Sequence, residues 1–499
     1  MLPFADWLDA HAARTPHKAA LIFEECAITY GELAARSARL AAWLQNERGL
    51  APGTRVAWLG LNTPEMLAML FACARTALVL LPLNWRLSDE ELAAIVADAG
   101  AALAVVDRSC ADRADALAGV PLVYARERRK SLSRLPDEGD DLGLAADSFA
   151  APERGVLLIY TSGTTGRAKG ALLTQDALCY NARNSQHMHA MSADDRVLTV
   201  LPMFHVGGLN IQTLPALECG ATVILEARFD PGRTLDLIAR MRPTLTVQVP
   251  ATIGALLAHP AWAATDLSSL RACATGSTDV PLPLIQALHA RGLPVIQVYG
   301  ATETGPVAIY QCIEDAYSHA GSIGRTGLHT EIRLVDETGQ DVADGQAGEI
   351  LVRGPHVARG YWDHVAREVV PFVDGWFASG DVAERDAQGF FWFKDRRKHV
   401  IISGGENIYP AELERVLAVS GLLREAAVAG RADPHWGEVP VVVAVRASAE
   451  TEPEDVLGLF DGHIARYKQP KDVVFVDALP RNAMGKVEVQ RLRELVRGE

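Results

Sequence analysis

What this sequence lacks already excludes several classes of protein. Its seven cysteines (Cys26, Cys73, Cys110, Cys179, Cys219, Cys273 and Cys312) are odd in number, scattered, and never spaced as Cys-x-x-Cys. That pattern excludes a disulfide framework and a clustered zinc site, and it makes most of them small core residues. Basic residues are in deficit, 48 against 62 acidic ones, for a formal charge of −14. The resulting field repels polyanions and anionic lipid, so no nucleic-acid partner is expected. No apolar run reaches membrane-spanning length, since the best candidate, residues 66–83, is interrupted by Arg75. The first residues carry no basic stretch ahead of an apolar one, and the chain reads as cytoplasmic, with no integral membrane segment. The 41 glycines and 26 prolines follow no period, which removes collagen-like and low-complexity chains.

The composition that remains is that of a folded globular chain, 49% hydrophobic and 22% charged. Its 499 residues exceed what one core organises, so a large domain and at least one smaller one are expected. Apolar runs of strand length alternate with helical patterns through the first four-fifths, the mark of βα units and mostly parallel sheets. Ser88-Asp89-Glu90-Glu91 reads as a capping box, Leu92, Ile95 and Val96 follow at helical spacing, and Gly100 stands where a helix would stop. Residues 156–160 form a continuous apolar run, as a buried strand does, and residues 243–250 alternate between two prolines, as a strand covered on one face does. The acidic stretch 137–141 reads as a solvated loop. Beyond the charged run 394–399 the pattern changes to a short helix-rich segment with its own strand at 439–445, which places a domain boundary near Lys398.

The most informative segment is Tyr160-Thr161-Ser162-Gly163-Thr164-Thr165-Gly166-Arg167-Ala168-Lys169-Gly170. Three glycines let the backbone turn tightly and aim its N–H groups, four hydroxyls add donors, and Lys169 adds a mobile positive charge. Such a loop cradles a polyphosphate. It is not a Walker A loop, because Lys169 follows Ala168 and Gly170 stands where the magnesium-binding hydroxyl would be. The bland alternative is a Gly/Ser/Thr turn between a strand and a helix.

This loop resembles the signature loop of the adenylate-forming superfamily, which includes acyl-CoA synthetases, the adenylation domains of peptide synthetases and beetle luciferases. Further stretches recur in that family's order: Thr29-Tyr30-Gly31-Glu32-Leu33, Leu201-Pro202-Met203-Phe204-His205, Tyr299-Gly300-Ala301-Thr302-Glu303, Gly375-Trp376-Phe377-Ala378-Ser379-Gly380-Asp381, Lys394-Asp395-Arg396-Arg397-Lys398, Ser403-Gly404-Gly405-Glu406-Asn407 and Pro480-Arg481-Asn482-Ala483-Met484-Gly485-Lys486. The resemblance implies an α/β fold: a large N-terminal domain of layered parallel β-sheets with flanking helices and a small barrel-like subdomain, residues 1–396, then a small mobile α+β C-terminal domain, residues 397–499.

The same resemblance implies two half-reactions, in which a carboxylate attacks the α-phosphate of ATP and a thiol then displaces AMP from the acyl adenylate. Thr161, Ser162, Gly163, Thr164, Thr165, Gly166 and Lys169 would hold the β- and γ-phosphates. Glu303 would bind Mg²⁺, which takes few carboxylates alongside phosphate oxygens and water, and Thr302 would donate to a phosphate. Tyr299 and Gly300, with Gly276, Ser277 and Thr278, would line the adenine. Asp381 would accept from both ribose hydroxyls, with Arg396 beside it. Lys398 would be the hinge, Gly404 and Gly405 would let the pantetheine arm of coenzyme A pass, and Lys486 would bridge the carboxylate and the α-phosphate.

By the same comparison His205 gates the carboxylate pocket, although read alone it is more often a structural histidine. An imidazole there disfavours amino-acid substrates. Val206, Gly207, Gly208, Cys273, Pro306 and Val307 would line the acyl pocket, a set without arginine or lysine, so a second carboxylate would find no partner. Gly207 and Gly208 would open the pocket to longer or bulkier tails. The expected activity is a carboxylic acid–CoA ligase acting on a hydrophobic monocarboxylic acid, either a medium- to long-chain fatty acid or an aryl acid of the hydroxycinnamate kind. Two alternatives are a stand-alone enzyme that loads a carrier protein in trans and a non-catalytic nucleotide-binding protein. The expected partners are ATP, the acid and coenzyme A, and nothing in the sequence opposes a homodimer.

Overall fold

The computed structural model describes residues 2–125, 153–161, 168–276, 280–363, 365–366, 368–403, 406–482 and 485–497. The chain divides into two compact units: one comprises residues 1–280, 284–332 and 352–377, the other 281–283, 333–351 and 378–499.

The first unit is layered. A nine-stranded sheet runs parallel through its centre, with Val295–Tyr299 beside Ala272–Gly276, then Leu245–Gln248, Arg196–Thr199 and Thr222–Leu225. An eight-stranded sheet holds Arg55–Leu59, Val79–Leu83, Ala101–Asp107 and Gly155–Thr161 in parallel, followed by Lys169–Thr174 and Tyr361–Asp363 running antiparallel. One large core draws on both sheets, joining Val197, Val223, Val247 and Ile296 of the first with Trp58, Leu80, Val105 and Ile159 of the second. The opposite faces are covered too. Leu237, Ile253 and Ile285 on helices pack against Leu198, Cys273 and Val295, while Leu92, Ile95 and Val96 pack against Leu59, Leu81 and Val106. Sheets buried on both faces explain the near-continuous apolar runs in the sequence.

Local signals are obeyed closely. Ser88 caps the helix Asp89–Ala99, its hydroxyl accepting from Glu91 N while the Glu91 carboxylate accepts from Ser88 N, and Gly100 ends the helix in the left-handed conformation. Thr29 and Glu32 form the same box ahead of Tyr30–Ala42. Residues 66–83 split into the helix Pro64–Arg75 and the buried strand Val79–Leu83. Among the described residues no helix is long and apolar enough to cross a membrane. One expectation needs correction: Leu245–Gln248 is buried on both faces, because apolar layers pack on either side of the sheet it lies in. The acidic stretch 137–141 lies outside the described residues.

The second unit carries a five-stranded sheet in which Gly437–Arg446 pairs with Leu423–Asp433, Asp472–Phe475 and Ile401–Ser403. Its two faces are covered by separate apolar clusters, one around Leu413, Val442 and Phe460, the other around Val441, Leu479 and Leu492. A four-stranded sheet, Glu331–Val335, Ala347–Arg353, Phe377–Arg385 and Phe391–Arg396, falls mostly in this unit.

Candidate functional site

The parallel strands of the nine-stranded sheet end along one edge, the position where open α/β sheets present ligand-binding residues. His205 follows Arg196–Thr199, Gly276 ends its strand, and Tyr299 ends the next one, with Gly276 opposite Val298. The chain there is too tight for side chains. A Cβ on Gly276 would stand 2.2 Å from Val298 O, and one on Gly300 would stand 1.8 Å from Pro306 O. Gly300 leads into the single 3-10 turn Thr302–Thr304, which carries Glu303, only 6% exposed.

Lys169 enters from the other sheet. Gly155–Thr161 and Lys169–Thr174 are antiparallel partners with Thr161 opposite Lys169, so the glycine-rich segment joins two paired strands and not a strand and a helix. Lys169 opens the second of these strands and brings a cationic side chain to that end. Ser162, Gly163, Thr164, Thr165 and Gly166 lie outside the described residues, as do Ser277, Thr278, Gly404 and Gly405.

One residue that the sequence reasoning missed ties the two sheets together. Tyr361, opposite Ala171 in the register, donates its hydroxyl to Glu303 Oε1 at 2.7 Å, and Lys169 Nζ stands 5.2 Å from its ring centre. Burial first, then the Glu303 charge, push the phenol well above its ordinary pKa, so it stays a donor. No local signal could have found it, because 58 positions separate it from Glu303. Glu303 presents one carboxylate with one oxygen so held, a donor set suited to a hard cation that takes its other ligands from phosphate and water.

The acyl-pocket residues divide. Val206 and Val307 belong to the large central core and Pro306 is buried. His205 caps the turn after it, its Nδ1 accepting from Gly207 N at 3.0 Å. A Cβ on Gly208 would stand 2.3 Å from Pro202 O, so close chain packing already requires glycine at that position. Cys273 does not join them, and its assignment to the acyl pocket is corrected. Strand alternation turns it away from Ala272 and Ala274 into the core against Ile285 and Leu288, where burial pushes its thiol up to about 12. A cavity of about 520 Å³ lined by Arg353, Val357, Arg359 and Phe372 contains none of the expected site residues.

In the second unit, Asp381 and Arg396 are cross-strand neighbours joined by an ion pair, Arg396 Nε to Asp381 Oδ1 at 3.0 Å, with Asp381 only 6% exposed. Lys398 follows on a 3-10 turn. Dehydration first, then the Arg396 charge, lower its ammonium pKa, and Arg493 donates to its carbonyl at 3.1 Å. Lys486 is exposed, on a turn closed by Asn482, whose N–H donates to Lys486 O at 2.9 Å and whose side-chain oxygen accepts from Lys486 N at 3.1 Å.

Known proteins resemble this chain along most of its length. Residues 8–362 match the family described as AMP-binding enzyme, and residues 412–486 match the AMP-binding enzyme C-terminal domain. An indoleacetate–CoA ligase of Aromatoleum aromaticum is 47% identical over 503 residues, covering 99% of this chain and 98% of its own. A feruloyl-CoA synthase of an Amycolatopsis species is 40% identical, covering 97% and 98%. Among solved structures, the O-succinylbenzoate coenzyme A synthetase of Bacillus subtilis, in complex with ATP and magnesium ion, superposes with a TM-score of 0.86 at 30% identity, covering 98% of this chain and 99% of its own.

Proposed function

Because the chain belongs to the AMP-binding enzyme family, as an ATP-dependent acid–CoA ligase, we propose that its acid is an uncharged-tailed aryl monocarboxylate, of the arylacetic or hydroxycinnamic kind. The observation that carries the ligase chemistry is the meeting of Lys169, Tyr361 and Glu303, from three distant parts of the chain, beside the end of the glycine-rich hairpin. The aryl preference is supported by the two aryl-acid relatives, aligned from end to end, and by the absence of arginine or lysine from the expected acyl set.

Adenylation concentrates negative charge on the departing pyrophosphate, and positive groups aimed at it stabilise the transition state more than the ground state. Lys169 and the hairpin amides and hydroxyls would hold the leaving phosphates. Mg²⁺, held by Glu303, would neutralise phosphate charge when bound. Thr302 would donate to a phosphate, Tyr299 would face the adenine, and Asp381 with Arg396 would hold the ribose. Lys486, on its exposed turn, would bridge carboxylate and α-phosphate. A hinge near Lys398 would separate residues 1–396 from 397–499 and let the second half-reaction bring coenzyme A past Gly404 and Gly405. Seven free thiols and the need for ATP and coenzyme A fit a reducing, cytoplasmic setting.

The test is a panel of carboxylic acids scored for acyl-CoA formation with ATP, Mg²⁺ and coenzyme A. Arylacetic and hydroxycinnamic acids are expected to lead, with dicarboxylates inactive. Turnover confined to fatty acids would reject the aryl reading.

A further inference from the structure

A carboxylate on a three-residue turn can rotate about every side-chain bond, yet a metal ligand works only when its free oxygen is held in place. What restrains Glu303 lies in the segment 356–361. Ala358 N donates to Glu303 O at 2.7 Å, and His356 Nδ1 donates to Thr304 O at 2.7 Å, while its Nε2 accepts from the Thr330 hydroxyl at 2.8 Å. The Tyr361 hydroxyl takes Glu303 Oε1. The same segment is laced to the returning strand of the hairpin, Arg359 N to Leu172 O at 2.9 Å and Leu172 N to Gly360 O at 3.1 Å. The Tyr361 ring is fixed by the edge of Phe372, centroids 5.5 Å apart, and carries the Lys169 ammonium on its face.

We propose that Tyr361 is a positioning residue: by occupying Glu303 Oε1 it keeps the other carboxylate oxygen for the magnesium of bound nucleotide, and through its ring it sets that carboxylate at a fixed distance from Lys169. The inference rests on the ATP-dependent reading above. A hydroxyl that merely satisfied a buried acid would affect folding alone. One that orients a ligand oxygen affects metal-dependent binding, where loss of such a partner typically weakens metal affinity by about 10- to 100-fold.

The experiment measures ATP affinity of the full chain by calorimetry, with excess Mg²⁺ and again with EDTA, for the wild type, Tyr361→Phe, Glu303→Gln and the double variant. Tyr361→Phe is expected to weaken binding about 10- to 100-fold with Mg²⁺ and less than about twofold with EDTA. The Mg²⁺-specific loss should vanish in the Glu303→Gln background, since the two residues act as one unit. Phe372→Leu, which loosens the ring without touching the carboxylate, should weaken Mg²⁺-dependent binding by about threefold or more, and it serves if Tyr361→Phe does not fold. Equal losses with and without metal, or a loss that persists beside Glu303→Gln, would overturn the proposal. A wild type that binds no nucleotide under either condition would instead overturn the ATP-dependent reading on which it stands.

Discussion

At the scale of single residues, the sharpest division falls between groups that touch reacting atoms and groups that hold them. Lys486→Ala should abolish acyl-adenylate formation, a loss of at least about a thousandfold if its charge meets the transition state alone, while thiolysis of supplied acyl adenylate stays within about threefold. Both half-reactions are followed separately by pyrophosphate release and thioester formation, and equal losses would remove Lys486 from the bridging role. Asp381→Asn keeps the size of the side chain but removes the charge facing Arg396, and it should raise the KM for ATP about tenfold or more with little change in fold, judged by thermal melting. Glu303, Asp381 and Lys486 are expected at the site because the motifs that hold them recur in the family's order along the sequence, not because of any one residue's local setting. Tyr361 and His356 were not legible, since their partners lie 58 and 52 positions away and the tertiary fold alone brings them near. Cys273 was placed in the pocket by the family comparison alone, which does not show that each step along a strand reverses the face.

At the scale of elements, most of what the sequence announces is local. The helix Asp89–Ala99 has its cap, its apolar spacing and its terminating glycine all within a dozen residues, and each is realised. Ser88→Ala should therefore lower stability by about 1 kcal/mol, read as a shift in urea midpoint, and leave the kinetics of both half-reactions unchanged. The glycine-rich segment was read as a phosphate cradle without its flanking pair of antiparallel strands, because the return strand Lys169–Thr174 looks like any short apolar run until its partner is known. The strand Leu245–Gln248 was read as half covered for a related reason: alternation in sequence does not reveal that helices pack on both faces of the sheet.

At the scale of the whole molecule, two buried histidines make stability depend on pH. His356 and His189 are each held neutral, with pKa values lowered to about 4, first by burial. His189 stands between Ser185 O at 2.7 Å and the Gln212 amide at 3.0 Å, an arrangement that satisfies both ring nitrogens without a second proton. An unfolded chain protonates the same rings near pH 6.5, so between pH 6.5 and 4 it binds more protons than the folded one and stability falls as pH drops. The loss is on the order of 1 kcal/mol per pH unit for each ring at most, and this contribution is flat above pH 7. Urea midpoints taken from pH 7.5 to 5 should show this slope, and His189→Gln should reduce it. An unchanged slope would assign the pH dependence to other groups.

The whole-molecule claim is that this chain joins a carboxylate to AMP before any thiol takes part. Exchange of labelled pyrophosphate into ATP, measured without coenzyme A, tests it most directly. The account predicts exchange that requires both Mg²⁺ and an aryl carboxylic acid and that Lys486→Ala eliminates. Exchange independent of added acid, or none in an enzyme that still makes the thioester, would contradict it.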